Sequence, residues 1–182
     1  MLGRRIVTAV AIAAGGYFLS KQLKKSRGSS MGSTVEESIE VNVPISTAYN
    51  QWTQFEDLPK FMDSVHEVRQ LDDKHLHWKA SVAGKEKEWD AEITEQIPDD
   101  RIAWRSMDGV HNAGVVTFHK VADDRTRVML QMDYDPQSFD ESIGDALGFV
   151  KMQTKSNLAR FKQLVESRGV ETGAWRGTIP RQ

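Results

Sequence analysis

His75 and His77 stand two residues apart in an alternating stretch, a spacing that puts both imidazoles on one strand face and can hold a metal ion. No third ligand lies nearby in sequence and the chain has no cysteine, so the pair reads as solvated and no metal site is assigned. Acid–base chemistry would fall to Glu95, Ser106 or Tyr134, the polar residues that share the phase of apolar strand faces. Glu95 reads better as a strand-end carboxylate reaching water, so no catalytic residue is assigned. His66, His111 and His119 are isolated. No phosphate-binding glycine loop, nucleophile elbow or paired-histidine zinc helix is present. Three tryptophans on inward strand phases remain: Trp78, Trp89 and Trp104. Large flat side chains suit a flat or apolar ligand, and they also suit a filled core.

These side chains must be positioned by an antiparallel meander. Val35, Ile39, Val41 and Val43 alternate with polar residues and define a first strand that Pro44 ends. Ser46 is the expected N-cap of a short helix carrying Tyr49 and Trp52, and Glu56-Asp57-Leu58-Pro59 starts a second. Six strands then follow, separated by turn signals such as Asp72-Asp73, Ala83-Gly84, Asp99-Asp100, Asp108-Gly109 and Asp123-Asp124. Their inward sets include Leu76, Trp78, Ala80 and Val82; Trp89, Ala91, Ile93 and Ile97; Ile102 and Trp104; Gly114, Val116 and Phe118; and Val128, Leu130, Met132 and Tyr134.

A sheet with one apolar face needs a cover. Ser138 to Glu141 reads as a capping box, and Phe139, Ile143, Leu147, Val150, Leu158, Phe161 and Val165 keep a three-to-four spacing, with Thr154 in the gap. The predicted helix runs to Arg168 with Gly169 as its C-cap, and Gly144 and Gly148 either thin its inner surface or pack it close to the sheet.

Charge is unevenly placed. Residues 1–30 hold six basic residues and no acid; 24 less six leaves 18 basic against all 26 acidic residues in the remainder, a net −8. An acidic body argues against nucleic acid as its partner. Residues 6–19 form an uncharged run between basic clusters, about 21 Å long as a helix. That is short against a hydrocarbon core of about 30 Å. The run reads as an uncleaved membrane anchor with the body on the cytoplasmic side, as a secretion signal, or as a flexible leader on a soluble protein. The expected organisation is a leader and linker at 1–33, a domain at 34–168 and a tail at 169–182.

The order of elements carries a resemblance. P-x-S-T-A-Y-x-x-W-x-x-F-E-D-L-P-x-F-M from Pro44 to Met62 resembles the START-like, or SRPBCC, helix-grip superfamily. W-D-A-E-I from Trp89, R-I-A-W-R-S from Arg101, N-A-G-V-V-T-F from Asn112 and E-T-G-A-W-R-G from Glu171 are similar to its polyketide cyclase/dehydrase branch, which includes coenzyme Q-binding START-domain proteins. The resemblance covers residues 34–177. It implies an α+β helix-grip fold: a curved seven-stranded antiparallel sheet around a long C-terminal helix, with two short helices after the first strand. It also implies a cavity for a hydrophobic small molecule (quinone, isoprenoid or lipid), lined by Trp78, Trp89, Trp104, Phe118, Leu130, Tyr134, Phe61 and Leu147, with no cofactor. Two alternatives stand beside the carrier: a cyclase/dehydrase-type enzyme, and a membrane-associated scaffold without a ligand.

Overall fold

The computed structural model describes residues 32–82, 84–139 and 144–181. The expected leader at residues 6–19, and Asp140, Glu141 and Ile143 of the expected helix start, lie outside them. Strand β1 (Ser33–Val41) is followed by helix α1 (Ile45–Trp52) and a 3₁₀ helix (Phe55–Lys60). Then come β2 (Val65–Gln70), β3 (His75–Val82), β4 (Lys85–Ile97), β5 (Arg101–Ser106), β6 (Asn112–Ala122) and β7 (Arg125–Tyr134). Helix α2 (Ala146–Arg168) is the long C-terminal helix. The sheet order is β1-β7-β6-β5-β4-β3-β2, every pair antiparallel. The two short helices therefore carry the chain from one sheet edge to the other.

Curvature has local causes. Register shifts at Val65/Glu67, Ile93/Glu95 and Lys120/Ala122 bend strands β2, β4 and β6. The middle shift also overturns one expected phase. Trp89, Ala91 and Ile93 are buried as the alternation requires, but past the shift Gln96 takes the inward place at 1% exposure and Ile97 does not. The Gln96 amide finds partners there: its Nε2 donates to the Tyr49 hydroxyl at 3.2 Å.

Helix starts differ from the sequence reading in two places. Helix α1 begins at Ile45, one residue before the expected cap Ser46, and its N-cap is Pro44 without a side-chain hydrogen bond. Helix α2 begins at Ala146, not near Phe139. Asp135 and Pro136 open a single 3₁₀ turn, and Phe139 is extended. Gly144 is left-handed at φ 65°, outside helical geometry, and Asp145 caps the start of α2 by accepting from the Gly148 amide at 2.9 Å. At 23 residues the helix is about 34 Å long. Gly169, left-handed at φ 70°, closes it as expected.

One face of α2, Val150, Thr154, Leu158, Phe161 and Val165, is buried. The helix lies along β1 and touches β7 less. Asn42 N donates to Glu166 at 2.7 Å, Lys162 Nζ donates to the Glu40 carbonyl at 2.7 Å, and Lys151 pairs with Glu37 at 3.8 Å. Burial works to raise the Glu166 carboxyl, but the Lys162 and Asn42 hydrogen bonds hold it below its ordinary value. Because the helix hugs β1, the concave faces of β3, β4 and β5 are left to other partners.

At one end those partners are aromatic. Trp52 meets Phe61, Phe118 and Phe161 at ring distances of 5.3, 6.3 and 4.8 Å, Phe61 meets Phe161 at 5.1 Å, and Tyr49 meets Phe118 at 5.5 Å. Full burial of each such ring contributes about 1.5–3 kcal/mol, so this cluster anchors the short helices that are too short to stand alone.

The segment after Gly169 closes over α1. Glu171 accepts from Asn50 Nδ2 at 2.8 Å, and Thr172 Oγ1 donates to Asp57 at 2.7 Å. Arg176 grips Asp99 with both nitrogens, at 3.1 and 2.7 Å, and lies 5.6 Å from the centre of the Tyr49 ring. Ile179 is buried and exchanges two backbone bonds with Gln96. The described residues form one compact unit.

Candidate functional site: a tryptophan-walled cavity

Between the tryptophan side of the sheet and α2 lies a cavity of about 120 Å³, the space open to the centre of a water-sized sphere. In that measure one water needs about 10–15 Å³, so the space exceeds a packing defect. Trp78, Trp89 and Trp104 form one wall from β3, β4 and β5. Leu130, Met132 and Tyr134 of β7 extend it. Trp52, Phe55, Leu58 and Met62 supply the side toward the short helices. Helix α2 contributes Val150, Gln153, Thr154 and Asn157. The indoles therefore do not fill the grip.

The wall is built by register. Trp78 and Trp89 are direct cross-strand partners, with rings 5.9 Å apart and 9° from parallel, a stacked pair. Trp104 faces Gly114 on β6, and its indole N–H donates to Asn112 Oδ1 at 3.2 Å. Near the start of α2, Tyr134, Phe139 and Phe149 meet edge-on at 5.6 and 6.0 Å. All three line the space and bound it where α2 begins.

Of the residues expected at the site, Trp78, Trp89, Trp104, Leu130 and Tyr134 line the cavity. Phe61 and Phe118 do not. Both are buried in the aromatic cluster around Trp52, Phe61 tilted against its indole and Phe118 meeting it edge-on. Leu147 is 54% exposed in the first turn of α2. It is in phase with Thr154 and Leu158, yet it stands at the very start of the helix, and no described residue covers it. Glu95 and Ser106 also fall outside the lining: Glu95 pairs with Arg101 at 3.9 Å, and Ser106 Oγ accepts from the Asn112 amide at 3.2 Å. Tyr134 alone of the three acid–base candidates borders the space.

Sequence reasoning missed the polar lining. Gln153 and Asn157 lie one turn apart on α2 and border the cavity, as do Ser64 and Ser81. The i, i+4 spacing of the two amides was a usable signal. His111 also lines the space, with Nε2 3.6 Å from Asp133, a pairing between separate elements that no local pattern announces. His75 and His77 sit elsewhere, beside Asp72 at 2.8 Å and Asp90 at 2.7 Å.

A curved antiparallel sheet gripping one long helix around a lined cavity is the helix-grip architecture of the START-like superfamily. The chain belongs to the polyketide cyclase/dehydrase and lipid transport family, whose model matches residues 41–162. It is 60% identical over 148 residues to an uncharacterized 17.2 kDa protein of Streptomyces lincolnensis, covering 81% of this chain and 99% of that one. A solved Deinococcus radiodurans protein is 27% identical with a TM-score of 0.60, covering 75% of this chain and 99% of its own. The Zhui aromatase/cyclase from Streptomyces sp. R1128 shares the fold at 16% identity and a TM-score of 0.64, over 79% of this chain and 99% of its own. Among the described residues no helix is long and apolar enough to cross a membrane.

Proposed function

We propose that the protein takes up a hydrophobic small molecule between Trp78, Trp89 and Trp104 and the first half of α2, and holds it without chemical change. The observation that carries this reading is the cavity itself: a mostly apolar space left beside three tryptophans that would otherwise be core. Binding is desolvation of the ligand against aromatic walls. Quinones, isoprenoids and acyl chains are the ligand classes in view, and Phe55, Leu58 and Met62 belong to the entrance side. Native mass spectrometry of the purified full chain should show added mass that organic extraction removes. Protein that is repeatedly empty and refuses quinone and lipid analogues would sink the proposal.

A cyclase/dehydrase-type reaction is the second reading, favoured by His111 bordering the cavity with Asp133 beside it. An imidazole oriented by a carboxylate can move a proton α to a bound carbonyl. Faster α-proton exchange of a bound ketone, lost in His111→Gln, is the expected sign; unchanged exchange removes this reading.

Residues 6–19 and the basic residues around them are proposed to hold the domain at an anionic lipid surface. The full chain should float with anionic vesicles and not with zwitterionic ones. Equal or absent flotation counts against it.

A further inference from the structure

The short-helix wall of the cavity is held from outside by the C-terminal segment. Trp52, Phe55, Leu58 and Met62 border the space and all are buried, so the cavity is shut on this side. The residues between them are bonded to the chain beyond α2. Gln51 Nε2 donates to Thr172 Oγ1, and the Thr172 amide donates back to Gln51 Oε1, both at 3.1 Å. Thr53 Oγ1 accepts from the Trp175 amide at 3.1 Å, and Asp57 accepts from Thr172 Oγ1 at 2.7 Å. Gln54 lies against Gly173, where a methyl group would meet its Oε1 at 2.5 Å. Wall residue and anchor residue thus alternate over residues 51–58.

We infer that residues 171–176 are a latch: in place they keep the short-helix wall closed over the cavity, and their release lets that wall swing out and admit the ligand. Neither the eight-residue α1 nor the six-residue 3₁₀ helix is long enough to hold itself. The latch bonds are polar and several involve partly exposed groups, so each is weak and can part while the sheet and α2 stay folded. Both ends of the segment remain tied, one to α2 and the other through the Ile179–Gln96 bridge, so a lifted latch can close again. Such a device lies on the way in and on the way out. Loosening it raises both rates by one factor and leaves the affinity alone, which a brace that merely shapes the bound state does not do. This inference rests on the proposed carrier function and adds the step that controls entry.

The neutral fluorophore 1-aminoanthracene, followed by stopped-flow mixing with the full-length protein and then by dilution, reads both rates. Thr172→Val exchanges a hydroxyl for a methyl and loses the bonds to Asp57 and Gln51. Association and dissociation should each quicken by about fivefold, the factor that loss of one ordinary hydrogen bond gives, while the Kd stays within about twofold. Arg176→Ala should do at least as much, and Arg176→Lys should fall between it and the parent. Lys162→Met cuts a bond between α2 and β1 instead and should leave both rates unchanged. Without any probe, the amides of Asp57, Phe61 and Met62, which donate to Gln54 and Leu58 carbonyls, should exchange hydrogen about fivefold faster in Thr172→Val. Those of α2, β6 and β7 should keep their rates. Probe rates that ignore the latch variants overturn the inference and leave the carrier standing, with entry elsewhere, past His111. A change in dissociation alone, or equal quickening by Lys162→Met, also overturns it. Parent protein that takes up no probe counts against the carrier, and exchange at 57, 61 and 62 then decides by itself whether the segment clamps this wall.

Discussion

The indole of Trp104 lies against the bare Cα of Gly114, its register partner on β6: a methyl group there would meet Trp104 Cζ2 at 2.5 Å and the Gln131 carbonyl at 2.8 Å. The glycine is what lets a tryptophan lie flat against the sheet at this point of the cavity wall. Gly114→Ala must push the indole off or shift the β6–β7 pair. Overpacking of this kind costs about 1–3 kcal/mol. Urea denaturation should show that loss, and near-ultraviolet circular dichroism should show a changed tryptophan environment. A variant within about 0.5 kcal/mol of the parent would mean that the wall yields more easily than the geometry says.

Helix α2 supplies a paired test of which face is covered. Phe161 is fully buried between Trp52 and Phe61, while Leu147 is half exposed. Phe161→Ala should cost about 3–5 kcal/mol, and Leu147→Ala less than about 0.5 kcal/mol. Comparable losses from both would place Leu147 under a cover and restore it to the cavity.

Arg176 fastens the C-terminal segment through a two-pronged contact to Asp99, a bond to Asn50 Oδ1 at 2.8 Å and the Tyr49 face. The Asp99 carboxylate holds the guanidinium above its ordinary value, as a charge-assisted pair should. Both partners are partly exposed, so water screens the pair. Arg176→Ala should cost about 1–2 kcal/mol once that screening is allowed for. It should also speed proteolysis beyond Gly169. Lysine lacks the planar fork, so Arg176→Lys should restore less than half of the loss. A lysine variant equal to the parent would reduce the contact to simple charge.

How far sequence reaches is visible in these same residues. Trp78, Trp89 and Trp104 could be placed on one face because strand alternation is strictly two-fold and survives until a bulge. At Ile93/Glu95 an extra residue changed the phase, and nothing in the local composition marked it, so Gln96 took the inward place expected of Ile97. The long helix was legible from its spacing, but its start was not: Phe139 is extended, and the left-handed Gly144 was hidden inside a continuing pattern. Leu147 inherited that error. The aromatic cluster was legible as core material, but its division between sealed end and cavity wall was not. Phe61 and Phe118 went to the first because of which rings they meet, a fact of the third dimension. The E-T-G-A-W-R-G motif was recognisable, while its partners Asn50, Asp57 and Asp99 lie too far away in sequence to be read.

Acid should loosen the C-terminal segment first. Hydrogen bonding from Asn50 holds the Glu171 carboxyl below its ordinary 4.5 against the opposing pull of burial. At Asp57 burial pulls upward, but bonds from Lys60, Thr172 and Gln51 outweigh it and hold the group below 3.8. A carboxyl depressed in the folded state binds its proton less readily there than in the unfolded chain. Its stabilisation is complete above the unfolded value and is lost as pH falls through the folded one. The contacts should therefore be intact at pH 7, begin to weaken below about pH 4.5, and fail progressively in stronger acid. Trp175 reports the event, since its indole donates to Asp73 at 3.3 Å and its backbone N–H donates to Thr53 Oγ1 at 3.1 Å. Trp175 fluorescence and cleavage beyond Gly169, followed from pH 7 to pH 3, should change together. Glu171→Gln keeps an oxygen for Asn50 but cannot titrate, so it should flatten part of the transition. A profile that is unchanged in this variant, or a segment that grips more tightly in acid, would mean that these two carboxylates do not hold it down.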